Sequence, residues 1–199
     1  MLASETRRSV GRPREFDEES VLEAAMDVFW QKGYEATSLA DLCEATGLHK
    51  GSLYQAFGDK HQLFMQALSH YSEKEFQSVM AIVSDSKSPL ENIKTVVYAV
   101  ANMADEAHGC LIINSMVELA PHDEEVRAAV HSFAERRLKA MIKMIGAAQK
   151  TGEIRSELDA MMLARQLLMT LAGAAAVVKG VLKSNEIIGV LDTMIDSWT

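Results

Sequence analysis

A short run in the first third of the chain, His49-Lys50-Gly51-Ser52-Leu53-Tyr54-Gln55-Ala56-Phe57, holds side chains suited to gripping a polyanion. If the run is a helix, Leu53 and Phe57 lie one turn apart and share the buried face. His49, Lys50, Ser52 and Tyr54 are then left on exposed faces at or near the helix N-terminus. An imidazole, an ammonium and two hydroxyls in that place can donate to phosphate oxygens and to base edges, and that end of a recognition helix is the one that reaches the major groove. Gly51 costs a helix up to about 1 kcal/mol relative to alanine, a cost that close approach to another backbone would justify.

Those side chains need elements to hold them. Asp17 reads as the N-cap of a first helix that carries Val21, Ala24, Ala25, Val28 and Phe29 on one face and ends at Lys32 before Gly33. Thr37 and Ser38 read as caps of a second, very short helix with Leu39, Leu42 and Cys43 on its inner face, which ends near Thr46-Gly47. The third helix follows at once and stops at Gly58, with Leu48 plugging the turn. Two short helices joined by a tight glycine-containing turn make a helix-turn-helix. Asp59 and Gln62 fit a capping box that opens a long fourth helix bearing Leu63, Phe64, Ala67, Leu68, Tyr71, Phe76, Val79, Met80 and Val83. Five more helices are expected near 89–106, 109–120, 123–149, 159–180 and 185–198. Only three prolines interrupt the chain, and no run alternates as a strand would. The expected fold is all-α: an N-terminal three-helix helix-turn-helix domain, residues 1–60, and a C-terminal bundle of about six helices, residues 61–199.

The segment from Gly33 to Leu63 strongly resembles the DNA-binding domain of the TetR family, and the match runs from Asp17 to Phe64. Gly33-Tyr34-x-x-Thr37-Ser38, Gly47 at the turn, Leu53-Tyr54-x-x-Phe57 and Lys60 all fall at family spacing. The resemblance implies phosphate contacts from Lys60, Tyr54, Thr37 and Ser38. Base contacts are implied for His49 and Lys50, with Gly51 and Ser52 at the same surface. Tyr54 has a second reading as a half-buried packing residue, and Lys50 as a solvated lysine. The family commonly has Ser or Thr where His49 stands, so this cap is weaker and the operator sequence cannot be copied from a relative.

The chain is acidic overall, at −8 over 199 residues, so positive charge for DNA must be local. Arg7, Arg8, Arg12 and Arg14 supply it against Glu5 alone, and Gly11-Arg12-Pro13-Arg14 resembles the basic arm of many family members. Arg12 and Arg14 read as an arm for the minor groove, or else as a solvated tail. With 48% hydrophobic and 24% charged residues the chain should be compact. Cys43 and Cys110 are too few for a disulfide framework, and no basic-then-apolar leader precedes the first helix. The uncharged stretch from Gln166 to Val178 falls short of a membrane span. A soluble, cytoplasmic protein without cofactor or membrane partner is the expectation.

In the C-terminal half, residues 159–180 are apolar nearly all round, and the last helix adds Ile187, Ile188, Leu191, Met194, Ile195 and Trp198 on one face. In the family the two final long helices form a four-helix interface with a second subunit. The resemblance therefore implies a homodimer on a palindromic operator, with Leu167, Leu171, Ala175, Val178, Ile188, Leu191 and Ile195 at the interface. It also implies repression relieved by a small-molecule effector in the C-terminal core. Met103, Met116, Met141, Met162 and Met169 are candidates to line its pocket, as are His108 and Cys110 at the start of the sixth helix; ordinary core packing is the other reading. Cys110 at a helix N-terminus is either a reactive thiol or a small buried residue. His108, Cys110, His122 and His131 lack zinc-ligand spacing. Neither a phosphate loop, a nucleophile elbow nor an HExxH helix occurs, which argues against an enzyme.

Overall fold

Helix signals in the sequence are met by capping bonds in the structure, a computed structural model that describes residues 16–103 and 108–199. Among these, nine helices follow in order: α1 (Glu18–Lys32), α2 (Leu39–Thr46), α3 (Lys50–Phe57), α4 (Lys60–Ala81), α5 (Pro89–Met103), α6 (Leu111–Glu118), α7 (Glu124–Lys150), α8 (Ala160–Val177) and α9 (Ser184–Asp196). The Asp17 side chain accepts from the Ser20 N–H, and Asp59 with Gln62 closes the capping box at α4. Gly47 takes the left-handed conformation, φ 68°, that the tight α2–α3 turn demands and that only glycine adopts without steric cost.

The core does not divide at residue 60. A first apolar cluster joins Phe29 of α1, Leu42 of α2, Leu53 and Phe57 of α3 and Phe64 and Leu68 of α4 to Leu111, Ile112, Leu119 and Val126 of the α6–α7 region. A second cluster joins α5, α7, α8 and α9 through Ile93, Val97, Ile145, Leu167, Leu191 and Trp198. α4 runs through both halves, its first turns in the first cluster and its C-terminal part on α7 through the ion pairs Glu73–Arg136 and Glu75–Arg137.

α8 is 18 residues long and, by length and composition alone, apolar enough to cross a membrane. Its Leu163, Ala164, Leu167, Leu171, Ala174 and Ala175 are buried against neighbouring helices. The sequence reading stopped short of this helix because Arg165 interrupts the uncharged run.

Burial corrects the choice of interface residues. Leu167, Leu171, Ala175, Val178, Leu191 and Ile195 are only 0–8% exposed within the single chain, so they form its own core. Of that set only Ile188 is half-buried rather than buried. Among the described residues of the α8–α9 region, the large apolar side chains left open are Met161, Met162 and Met169 on α8, Val181 beyond it and Val190 on α9. A helical stripe says which residues share a face; the packing partner decides whether that face looks inward.

Candidate nucleic-acid interface

α3 is held by its buried Leu53 and Phe57, which turn His49, Lys50, Gly51 and Ser52 outward into solvent. His49 is the N-cap and makes no side-chain capping bond, so its imidazole is uncommitted at the cap. The Lys50 ammonium lies 5.6 Å from the centre of the half-buried Tyr54 ring. Among the described residues, and apart from its chain neighbours and its own helix backbone, nothing lies within 4 Å of where a Cβ on Gly51 would point, so packing of the described residues gives no reason for a glycine there. Lys60 is the first residue of α4, where the helix dipole disfavours a cation. Its ammonium sits 4.4 Å over the Tyr34 ring, a placement that an approaching anion would complete.

Ser38 and Thr37 part company. Ser38 is the N-cap of α2 and shares a capping box with Asp41. The Asp41 carboxyl is held well below the usual carboxylate range by Lys32, 2.6 Å away, and by Ser38. Thr37 is 1% exposed and its hydroxyl donates to the Gly33 carbonyl at 2.6 Å. The expected phosphate contact through the Thr37 hydroxyl is therefore corrected: that group is spent inside the α1–α2 turn. Arg12, Arg14 and the Met103 side chain lie outside the described residues.

The corner between α6 and α7 grips this head at two points. The Glu118 carboxylate accepts from the backbone N–H groups of Tyr34 and Glu35 at 3.2 and 2.9 Å. Asp123, the N-cap of α7, lies 2.8 Å from His61 Nε2 in the first turn of α4. Neither contact was legible in the sequence, since each joins residues more than sixty positions apart.

A cavity of about 300 Å³ lies behind this corner, lined from α4, α5, α6, α7 and α8. Of the expected pocket residues, Cys110, Met116, Met141 and Met169 line it. Met162 does not; it is 57% exposed on α8. His108 also stands aside, its ring 6.2 Å from that of Trp30. The sequence reading missed Tyr71, Glu75 and Arg137 in the wall. A signal existed for the first two: Leu68, Tyr71, Glu75 and Val79 follow at helical spacing, which sets a carboxylate on the apolar stripe of α4.

Glu75 pairs with Arg137, and Tyr71 donates to Cys110 Sγ at 3.7 Å. Burial pushes the Glu75 carboxyl up against the opposing pull of Arg137. Burial likewise pushes the Cys110 thiol up, and the nearby Glu75 charge adds to the shift. The helix N-terminus that would favour a thiolate is thus overridden, and the reactive-thiol reading of Cys110 loses its electrostatic basis.

Two family models match the chain, "Bacterial regulatory proteins, tetR family" over residues 21–67 and "Tetracyclin repressor-like, C-terminal domain" over residues 88–187. The chain belongs to the TetR family. It is a DNA-binding transcriptional regulator, as members of that family are, and not an enzyme. Among relatives of this TetR-family protein, the repressor ComR of Escherichia coli is 33% identical over 84% of the chain and 81% of its own length. The regulator YezE of Bacillus subtilis is 35% identical over 79% of the chain and 84% of its own length. A cysteine-substituted CifR, solved with a 26-base-pair double-stranded operator, superposes with TM-score 0.82 at 29% identity, covering 94% of this chain and all of that one.

Proposed function

We propose that this TetR-family regulator is a repressor that binds a palindromic double-stranded operator as a homodimer in the cytoplasm and is released by a small molecule in the core cavity. The observation that carries the reading is α3: it is anchored by Leu53 and Phe57 and presents His49, Lys50 and Ser52 outward beside a glycine the fold does not need. Lys50 and His49 read bases, while Tyr54, Ser38 and Lys60 hold phosphates. The exposed Gly51 lets the backbone close on the DNA, and Arg12 and Arg14 add a basic arm. CifR, a structural neighbour, was solved on operator DNA, and ComR is a repressor by name, which supports this assignment. Dimerisation sets two α3 helices about one DNA turn, roughly 34 Å, apart.

Operator titrations across a sequence library test the division of labour. Lys60→Ala is expected to weaken all sequences alike and to lower the salt slope by about one. Lys50→Ala is expected to cost about 1–3 kcal/mol and to relax preference at particular positions. Identical profiles for the two variants would reject it.

The α6–α7 corner supplies the route from cavity to head, because Ile112 and Met116 of α6 line the cavity while Glu118 at its end holds the α1–α2 turn. If an effector weakens operator binding a hundredfold, the coupling is about 2.7 kcal/mol and operator must weaken effector binding equally. Glu118→Ala is expected to cut that coupling below tenfold while effector affinity without DNA is kept, as measured by calorimetry with and without operator. Undiminished coupling in Glu118→Ala would remove this route.

A further inference from the structure

Among the described residues, the wall of the core cavity is apolar apart from one cluster, in which the polar side chains are engaged with one another. Glu75 of α4 and Arg137 of α7 are paired, and their side chains are 8% and 16% exposed. Tyr71, one turn before Glu75, donates to Cys110 across the same end of the cavity. The remaining wall is hydrocarbon and thioether, including Phe76, Val79, Val96, Ile113, Met141 and Leu168. A closed ion pair in such surroundings sums to zero charge. A carboxylate or an ammonium brought beside it would leave one net charge out of water, and the desolvation penalty of an ion in an apolar interior amounts to several kcal/mol. A hydroxyl or carbonyl brings no net charge: either can accept from the guanidinium, and a hydroxyl can also donate to the carboxylate, while the pair stays intact. At about 300 Å³ the space is at the small end of ligand pockets.

We propose that the cavity binds a small uncharged amphipathic molecule, an apolar skeleton with one hydroxyl or carbonyl group set against Tyr71, Glu75 and Arg137, and rejects carboxylates and amines of the same skeleton. The proposal rests on reading the cavity as a ligand site. It adds the chemical class that the Glu75–Arg137 pair selects.

The experiment is calorimetric titration of the full chain without DNA, at neutral pH, with octanol, octanoate and octylamine. Octanol is expected to bind at least tenfold more tightly than either charged probe. In Glu75→Gln the guanidinium of Arg137 is left uncompensated, so the order should invert and octanoate should become the tightest of the three. In the double variant Glu75→Gln/Arg137→Gln the site is neutral again, and the preference for octanol should return. Octanoate or octylamine binding the unaltered chain as tightly as octanol would overturn the proposal, as would failure of all three to bind. Should Glu75→Gln fail to fold, the order in the unaltered chain and the double variant decides. Octanol that binds in this order yet leaves operator affinity unchanged would instead reject effector release and leave the ligand class standing.

Discussion

Replacing Phe64 with alanine is expected to lower unfolding free energy by about 3–5 kcal/mol, the cost of emptying a fully buried aromatic site. Phe64 is 1% exposed at the start of α4, and its ring meets Phe29 of α1 edge-on at 5.1 Å and Tyr34 of the α1–α2 turn at 5.0 Å. One side chain therefore joins the first helix, the turn that leads to α2, and the helix that runs on into the C-terminal half. The cavity would lie under the turn held by Glu118, so operator affinity should fall together with stability. Urea unfolding followed by circular dichroism measures the first loss and gel shift the second. A stability loss below about 1 kcal/mol would mean that this cluster collapses without cost and does not organise the head.

The second large effect separates core from proposed interface on α9. Leu191→Asp places an unpaired charge at a site that is 0% exposed and should unfold the chain, since an ion without a partner in an apolar core costs more than most small domains can lose. Val190→Asp, next to it but 52% exposed, should leave the protomer within about 0.5 kcal/mol of the unaltered chain. The same change should drive a dimer apart, and Met169→Asp on α8, 74% exposed, should act likewise. Sedimentation at several concentrations separates the outcomes. A Val190→Asp and Met169→Asp pair that stays dimeric at every concentration would place the subunit contact elsewhere.

The sequence by itself determined the helix order, most helix ends and the reading helix. Those rest on local physics: Asp17, Ser38 and Asp59 bond within three residues of themselves, Gly47 meets a backbone requirement of its own turn, and Leu53 with Phe57 fixes which way α3 must face. Tertiary structure decided the rest, because it turns on what each face meets. Leu171 and Leu191 read as interface but are covered by other helices of the same chain, and Thr37 read as a cap but gives its hydroxyl to Gly33. Cys110 read either as a reactive helix-end thiol or as a small buried residue, and only the fold shows burial and Glu75 raising its pKa. Glu75 was visible as a carboxylate on an apolar stripe, but its partner Arg137 lies sixty-two residues away. The grip of Glu118 on the α1–α2 turn spans still more chain. A sequence pattern reports periodicity within a helix; charge compensation and coupling between halves are set by which helices meet, and that information exists only once the chain has folded.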